Sequence, residues 1–356
     1  GLTHATPSVT TTVNGAMLVT AHSFASSATW TPPTGMTEAV DVASNAAPNS
    51  GGLSIEMNYV LQPTAGATGT KTATASANAD AGVAQIVAMR ATTKTWDGGA
   101  GTNNWGDAAN WNPDGVPTSS SDVSLTGANT ININLAASAK NFTLNNASLT
   151  LTILSGNSLT VSGNLTLTAG TLNTEASFPS VTGTVSITGG TVGYTAASGS
   201  QTVAVQSYVN LTISGGGTKT LAGNITPSGD LSISGGTFDL SSYSANRASA
   251  GGTLTVSNAA TVKIGGTGTI PSNYSTHSIG SASTIEYAGT TQTVGTLNNS
   301  QNYGNLTISG SGTKTMAGSL TVAGTLTLTS GALSIGANTL TINGAISTTS
   351  GSLTDG

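Results

Sequence analysis

The chain has 356 residues, a formal net charge of −5 and no cysteine, which excludes disulfides and thiolate metal sites. Only 6% of residues are charged and 4% aromatic, while glycine fills 47 positions, so a core of large side chains is excluded and one small domain is too few for this length. The acidic balance speaks against nucleic acid and anionic membrane surfaces, and no apolar run approaches the ~20 residues of a membrane span.

Residues 1–92 hold short alternating segments, Ala16–Ala21, Gly52–Leu61 and Val83–Arg90, between turn-rich stretches such as Pro32-Pro33-Thr34-Gly35. Several short strands with Gly and Pro punctuation predict a β-sandwich. A short helix over Ala79–Arg90 is the alternative, and the β-branched residues there favour a strand. Residues 93–122 carry Trp96, Trp105 and Trp111 among Gly, Asn, Asp and Pro, which favour turns. This stretch is expected to form a junction or cap in which the tryptophans cover the open end of the first coil.

Residues 123–356 are repetitive. Asn210-Leu-Thr-Ile-Ser-Gly returns as Asn305-Leu-Thr-Ile-Ser-Gly, and related units begin at Asn164, Thr184, Asp230 and Thr325. Leu165 and Val185, Leu211 and Leu231, and Leu306 and Leu326 each stand 20 residues apart, a period expected of stacked solenoid coils. Asn210–Leu240 also aligns with Asn305–Ile335 without a gap, sharing Gly-Thr-Lys-Thr at Gly217–Thr220 and Gly312–Thr315. That is the mark of a duplication. Leu-x-Ile alternating with Thr or Ser places aliphatics on one strand face and hydroxyls on the other. A lone strand cannot hold this arrangement. Ordering one residue costs about 1–2 kcal/mol of backbone entropy, and a buried aliphatic returns only ~1.5–3 kcal/mol. Stacking supplies the missing ladder bonds and neighbours. The expected fold is therefore all-β, an N-terminal β-sandwich followed by a right-handed parallel β-helix of about 11–12 coils rising ~4.8 Å each. An antiparallel sandwich, the main rival, does not predict a fixed register.

Tyr208-x-Asn210-Leu-Thr-Ile-Ser-Gly with Gly217-Thr-Lys-Thr, repeated from Tyr303, resembles the β-helix stalks of bacterial secreted adhesins, broadly similar to filamentous-haemagglutinin-like solenoids. So does the stretch from Asp239 through Tyr274 to Tyr287. The tryptophan stretch resembles a short module that opens such regions. Ala16-Met-Leu-Val19, Trp30-Thr-Pro-Pro-Thr-Gly-Met-Thr-Glu38 and Ala65-Gly-Ala-Thr-Gly69 are similar to β-sandwich modules of secreted bacterial and phage-associated proteins. The resemblance implies an architecture and carries over no catalytic residue.

Parallel β-helices also host polysaccharide lyases and hydrolases, whose chemistry needs clustered carboxylates. After Asp122 the acids are Glu175, Asp230, Asp239, Glu286 and Asp355, scattered singly, with Arg247 the one arginine. Asp230 takes the slot of Asn164, Asn210 and Asn305, which predicts a turn role. His4, His22 and His277 lack metal-ligand spacing and read as surface or loop histidines. Lys219 and Lys314 recur at one repeat position and are expected to point outward, with a ligand stripe as the alternative. Asp97, Asn103, Asp107, Asn110 and Asp114 offer oxygen ligands, but their spacing matches no calcium loop, and Asx-turns explain them. The tryptophans could instead stack on sugar rings. Asn-x-Ser/Thr sequons at Asn141, Asn146, Asn164, Asn210, Asn224, Asn273, Asn298 and Asn305 are mostly by-products of the repeat.

No catalytic, cofactor-binding or metal residue is assigned, and no cofactor is expected. The expected function is an extracellular structural or adhesive element of a microbial surface, not an enzyme. It would be a stalk, fibre or matrix component in contact with its own kind end to end, or with surface glycans. The alternative is a carbohydrate-binding or polysaccharide-degrading β-helix. The chain starts at Gly1 without a signal peptide and reads as a segment of a longer precursor.

Overall fold

The computed structural model describes residues 1–12, 16–77, 79–89 and 93–355. The chain divides into two compact units, 1–92 and 93–356. Both are built from strands, and the one helical element among the described residues is a 3-10 turn at Ala108–Asn110.

The N-terminal unit contains β1 (Thr3–Ala5), β2 (Thr10–Thr11), β3 (Ala16–Phe24), β4 (Trp30–Thr31), β5 (Thr37–Ala43), β6 (Ser54–Gln62), β7 (Gly66–Ala67), β8 (Thr72–Ala75) and β9 (Gly82–Met89). A four-stranded antiparallel sheet runs β5-β6-β3-β9, a three-stranded sheet runs β1-β8-β4, and β2 pairs with β7. The sheets meet over a small core of Phe24, Ala28, Trp30, Ala73 and Ala75. Trp30 sits edge-on to Phe24 at 5.1 Å and to His4 at 5.4 Å. The strand expected over Val83–Arg90 is found at Gly82–Met89, and Arg90 lies outside the described residues. The alternation in β3 is clean. Ala16, Leu18, Thr20, His22 and Phe24 are buried, and their neighbours only half so.

The second unit is a parallel β-solenoid of about 12 turns. One ladder climbs from Thr93–Trp96 through Asp122–Leu125, Phe142–Ile153, Leu165–Thr174, Thr191–Tyr194, Asn210–Ile213, Leu231–Ile233 and Gly251–Val256 to Tyr274–Ile279. A second starts at Ser200–Val203 and takes in Thr218–Leu221, Thr284–Tyr287, Asn305–Ile308 and Ile346–Thr348. A third links Gln292–Val294, Thr313–Met316, Ala332–Ser334 and Ser352–Thr354. The 20-residue spacing is the pairing register itself. Leu165 lies beside Val185, Leu211 beside Leu231, and Leu306 beside Leu326, all in parallel. Of the twelve aliphatics expected inside, Val185 is half-buried and the other eleven are buried. One hydrophobic cluster runs continuously from Trp105 to Leu333.

The tryptophan stretch belongs to this stack. Thr93–Trp96 pairs in parallel with Asp122–Leu125, and Asn104 bridges Asn132 on the next rung. Trp105 and Trp111 are fully buried, 4.5 Å apart and edge-on, with the Trp111 indole N–H donating to the Trp105 carbonyl at 2.9 Å. Trp96 is partly buried and packs edge-on against Trp111 at 5.2 Å. The rings close the first turn instead of lying in a flat exposed row.

Candidate functional site

The side chains that shape the solenoid's surface are those at its corners. Asn141 Oδ1 accepts from the backbone N–H of Asn164, Asn164 from Thr184, Asn210 from Asp230, and Asn305 from Thr325, at 2.8–2.9 Å. Each asparagine thus satisfies a backbone donor of the next turn, where the chain bends and the ladder is interrupted. Asp230 does the same for Thr253 at 2.8 Å, so it serves a turn as its repeat slot predicts.

Lys219 and Lys314 require a correction. Both are fully buried and point inward, not toward solvent. Lys219 Nζ donates to the carbonyls of Ala196 and Gly216, and Lys314 Nζ to those of Gly289 and Ser311. Corner carbonyls turned inward have no ladder partner, and an ammonium with three donors serves several at once. One turn earlier, Gln201 lies beside Lys219 and Gln292 beside Lys314. Gln201 donates to the Thr174 and Ala176 carbonyls and accepts from Ala196 N–H, all at 2.9 Å. Gln292 repeats this with the Ile264 and Gly268 carbonyls and Gly289 N–H. Two buried tyrosine pairs complete the stacks, with hydroxyls 2.9 Å apart for Tyr194–Tyr208 and 3.1 Å for Tyr287–Tyr303. Burial pushes the phenols up and the lysines down from their ordinary pKa values. These groups hold turns together. Their signal in the sequence was recurrence at one repeat position, but strand alternation alone does not say which polar residue can find carbonyls inside.

The likeness of the two copies extends back to Tyr194 and Tyr287, with two differences in length: six residues separate Tyr194 from Gln201 but four separate Tyr287 from Gln292, and the larger difference follows. Four residues separate Val203 from Tyr208, and eight separate Val294 from Tyr303. The longer segment, residues 295–302, forms no strand, and Asn299 and Ser300 take positive φ. It crosses where the first ladder would continue above Tyr274–Ile279. Side chains replace the ladder there. Asn298 N–H donates to His277 Nδ1 at 3.0 Å, the Asn298 amide donates to the Tyr274 carbonyl, and Ile279 N–H donates to Gln301 Oε1 at 3.3 Å. Recesses of about 240 and 320 Å³ flank the segment.

His277 lines the larger recess with Thr269, Ser272, Asn273, Thr293, Thr296 and Asn298. It is not the expected surface histidine, being 5% exposed. Because Nδ1 accepts, the neutral ring carries its proton on Nε2, and that atom has no hydrogen-bond partner. Burial holds the imidazole below its usual pKa. The Nε2–H is itself closed off, so the recess offers hydroxyls and amides beside Ile270, Pro271 and Ala317, a mixed polar and apolar lining of the kind that a sugar ring can meet.

His4 and His22 are also buried, inside the N-terminal unit, which corrects their reading as surface residues. In the tryptophan stretch, Asp97 Oδ1 accepts from Gly99 N–H as an Asx-turn, and Asn110 bonds Ala100, Thr102 and Asn104. Asp107 accepts from Thr102 and Asn104, and the Asp114 carbonyl accepts from Lys94. Glu175 accepts from Ser155 N–H, Glu286 from the Ser309 hydroxyl, and Asp239 pairs with Lys263 at 3.4 Å. The solenoid brings no two of its singly scattered acids into a group of three metal-binding side chains among the described residues.

A family described as Domain of unknown function (DUF8693) matches residues 95–209, about a third of the chain. The match begins at the tryptophan cap and ends within the first copy of the duplication. No curated protein and no solved structure matches the chain.

Proposed function

We propose that the chain is an extracellular structural or adhesive element of a microbial surface, a solenoid stalk that associates end to end. The observation that carries this reading is the uninterrupted core from Trp105 to Leu333, wrapped in faces of Thr, Ser and Asn and set by corner asparagines. Each turn contacts only its neighbours, so the architecture extends in one dimension. The last turn, Leu340–Ile342, Ile346–Thr348 and Ser352–Thr354, is paired along one edge, and Ile346 and Leu353 are 53% and 38% exposed. A free parallel edge with aliphatics beside it receives another strand readily. In this reading the strand comes from a second copy.

Electron microscopy and sedimentation of the chain test this. About 12 turns at ~4.8 Å give the solenoid unit a length of roughly 55–60 Å, and end-to-end association is expected that Ile346→Lys with Leu353→Lys abolishes. A monomer at every concentration overturns end-to-end association.

The His277 recess favours a second reading, that the stalk binds surface glycans. Saturation-transfer NMR against neutral mono- and oligosaccharides tests it. A transfer signal that disappears when residues 295–302 are replaced by Ala204–Ser207 would support it, and no signal from the wild type would end it.

A further inference from the structure

The most unusual polar group in the molecule lies in the N-terminal unit, away from the solenoid's features. On the inner face of the four-stranded sheet, Glu56 of β6 is fully buried, and neither carboxylate oxygen has a hydrogen-bond partner. Two residues along the same face, Asn58 is fully buried too, its amide outside hydrogen-bond geometry but close enough to Glu56 to draw that carboxyl's pKa partly back down. Burial pushes the Glu56 carboxyl up to about 7, and an unpaired buried amide is costly as well, so a partner beyond the chain's own donors is called for.

The neighbouring edge strand brings two more carboxylates to the same place. In β5, Glu38 lies opposite Asn58 and Asp41 opposite Glu56. Residues three apart in a regular strand face opposite ways. The pairing register shifts between Glu38 and Val40, and this bulge returns both side chains to one face. Carboxylate oxygens of Glu38, Asp41 and Glu56 all lie within 4.8 Å of one another. Asp41 Oδ2 also accepts from Trp30 N–H at 3.0 Å, which fixes its orientation. Glu38 is exposed and Asp41 half-buried, so the group opens to solvent along the edge strand while its floor is dry. Among the described residues the one salt bridge is Lys263–Asp239 of the solenoid.

We propose that Glu38, Asp41, Glu56 and the Asn58 amide oxygen hold one divalent cation of the calcium class. Three carboxylates with an amide oxygen are hard ligands. Oxygens sharing one Ca²⁺ at 2.3–2.6 Å stand up to about 5 Å apart, a spacing that the three carboxylates meet. Mg²⁺ asks for a tighter octahedron. The cation neutralises the three carboxylates, gives the buried Glu56 oxygens a partner, and ties the edge strand to the centre of the sheet. His22 stands opposite Glu56 on β3 with both nitrogens unpartnered, so a nitrogen-seeking ion such as Zn²⁺ is the competitor that the experiment has to separate.

The test titrates the whole chain, stripped with a chelator, with Tb³⁺ as the Ca²⁺ probe. Trp30 acts as the sensitising indole, and Ca²⁺ as the competitor. Expected are sensitised emission displaced by Ca²⁺, and a thermal midpoint raised by Ca²⁺ at about 1 mM, in the range of extracellular calcium modules, with Mg²⁺ weaker. Glu38→Gln, at an exposed position where folding is not at stake, should weaken Ca²⁺ roughly tenfold or more through the lost ligand charge. Glu56→Gln should abolish binding. Three results overturn the proposal: no Ca²⁺-displaceable emission, stabilisation by Zn²⁺ but not Ca²⁺, or binding undiminished in both variants, which would place the ion elsewhere.

Discussion

The two copies of the duplication, Tyr194–Leu240 and Tyr287–Ile335, share their internal chemistry and differ in their surroundings. Each has a tyrosine pair, a glutamine one turn below a lysine, and a corner asparagine. Asn210–Ile213, however, lies in the first ladder, and Asn305–Ile308 in the second, the ladder that holds the Lys219 strand of the first copy. The second copy has therefore moved round the solenoid by one face. A strand-corner-strand unit works on either face because both offer the same rise and the same parallel partner. The shift is already in place at Thr284–Tyr287, which lies in the second ladder where Thr191–Tyr194 lies in the first, and the extra four residues before Tyr303 lengthen a connection inside the shifted copy.

Core truncation strikes the two copies hardest. Leu211→Ala and Leu306→Ala should each cost about 2–5 kcal/mol in chemical denaturation, with the two values similar. A much smaller loss at Leu306 would mean that the second copy is packed less tightly than its sequence implies.

The lysines come next. Lys219→Ala and Lys314→Ala strand the corner carbonyls and should cost about 2–3 kcal/mol each. Burial lowers both lysine pKa values, which gives a pH signature. Below the depressed folded value both states hold the proton and the desolvation penalty is fully present. Between that value and 10.5 the unfolded chain binds more protons, so stability rises with pH across this window. The double variant Lys219→Met, Lys314→Met should lack the rise, as read from denaturation midpoints along a pH series against the wild type.

Smaller still, Asn210→Ala and Asn305→Ala should cost ~1 kcal/mol each, the worth of one hydrogen bond. At the inserted segment, stability should fall as pH drops below 6.5, because His277 titrates below its usual value and its Nδ1 accepts from Asn298. Unfolded histidine takes the proton first and folded histidine resists it. NMR should report Nε2–H on the neutral ring and faster exchange of the Asn298 amide in acid. An Nδ1–H tautomer would remove the acceptor of the Asn298 N–H.

The apolar alternation and the 20-residue period were enough to fix, from sequence, the parallel solenoid, its register and eleven of twelve inward aliphatics, because each rests on a local rule repeated many times. The cap was legible as well, since tryptophans among turn residues have few other places to go. Lys219, Gln201 and the histidines were not. Whether a polar side chain points inward depends on whether corner carbonyls from another turn meet it there, and those lie 23 to 28 residues away in sequence. The same holds for Glu38, Asp41 and Glu56. A bulge and a neighbouring strand bring them together, and nothing in their spacing announces it. The repeating sequence determined what each turn is made of. Tertiary pairing decided which face each turn occupies and which polar atoms are left without a partner.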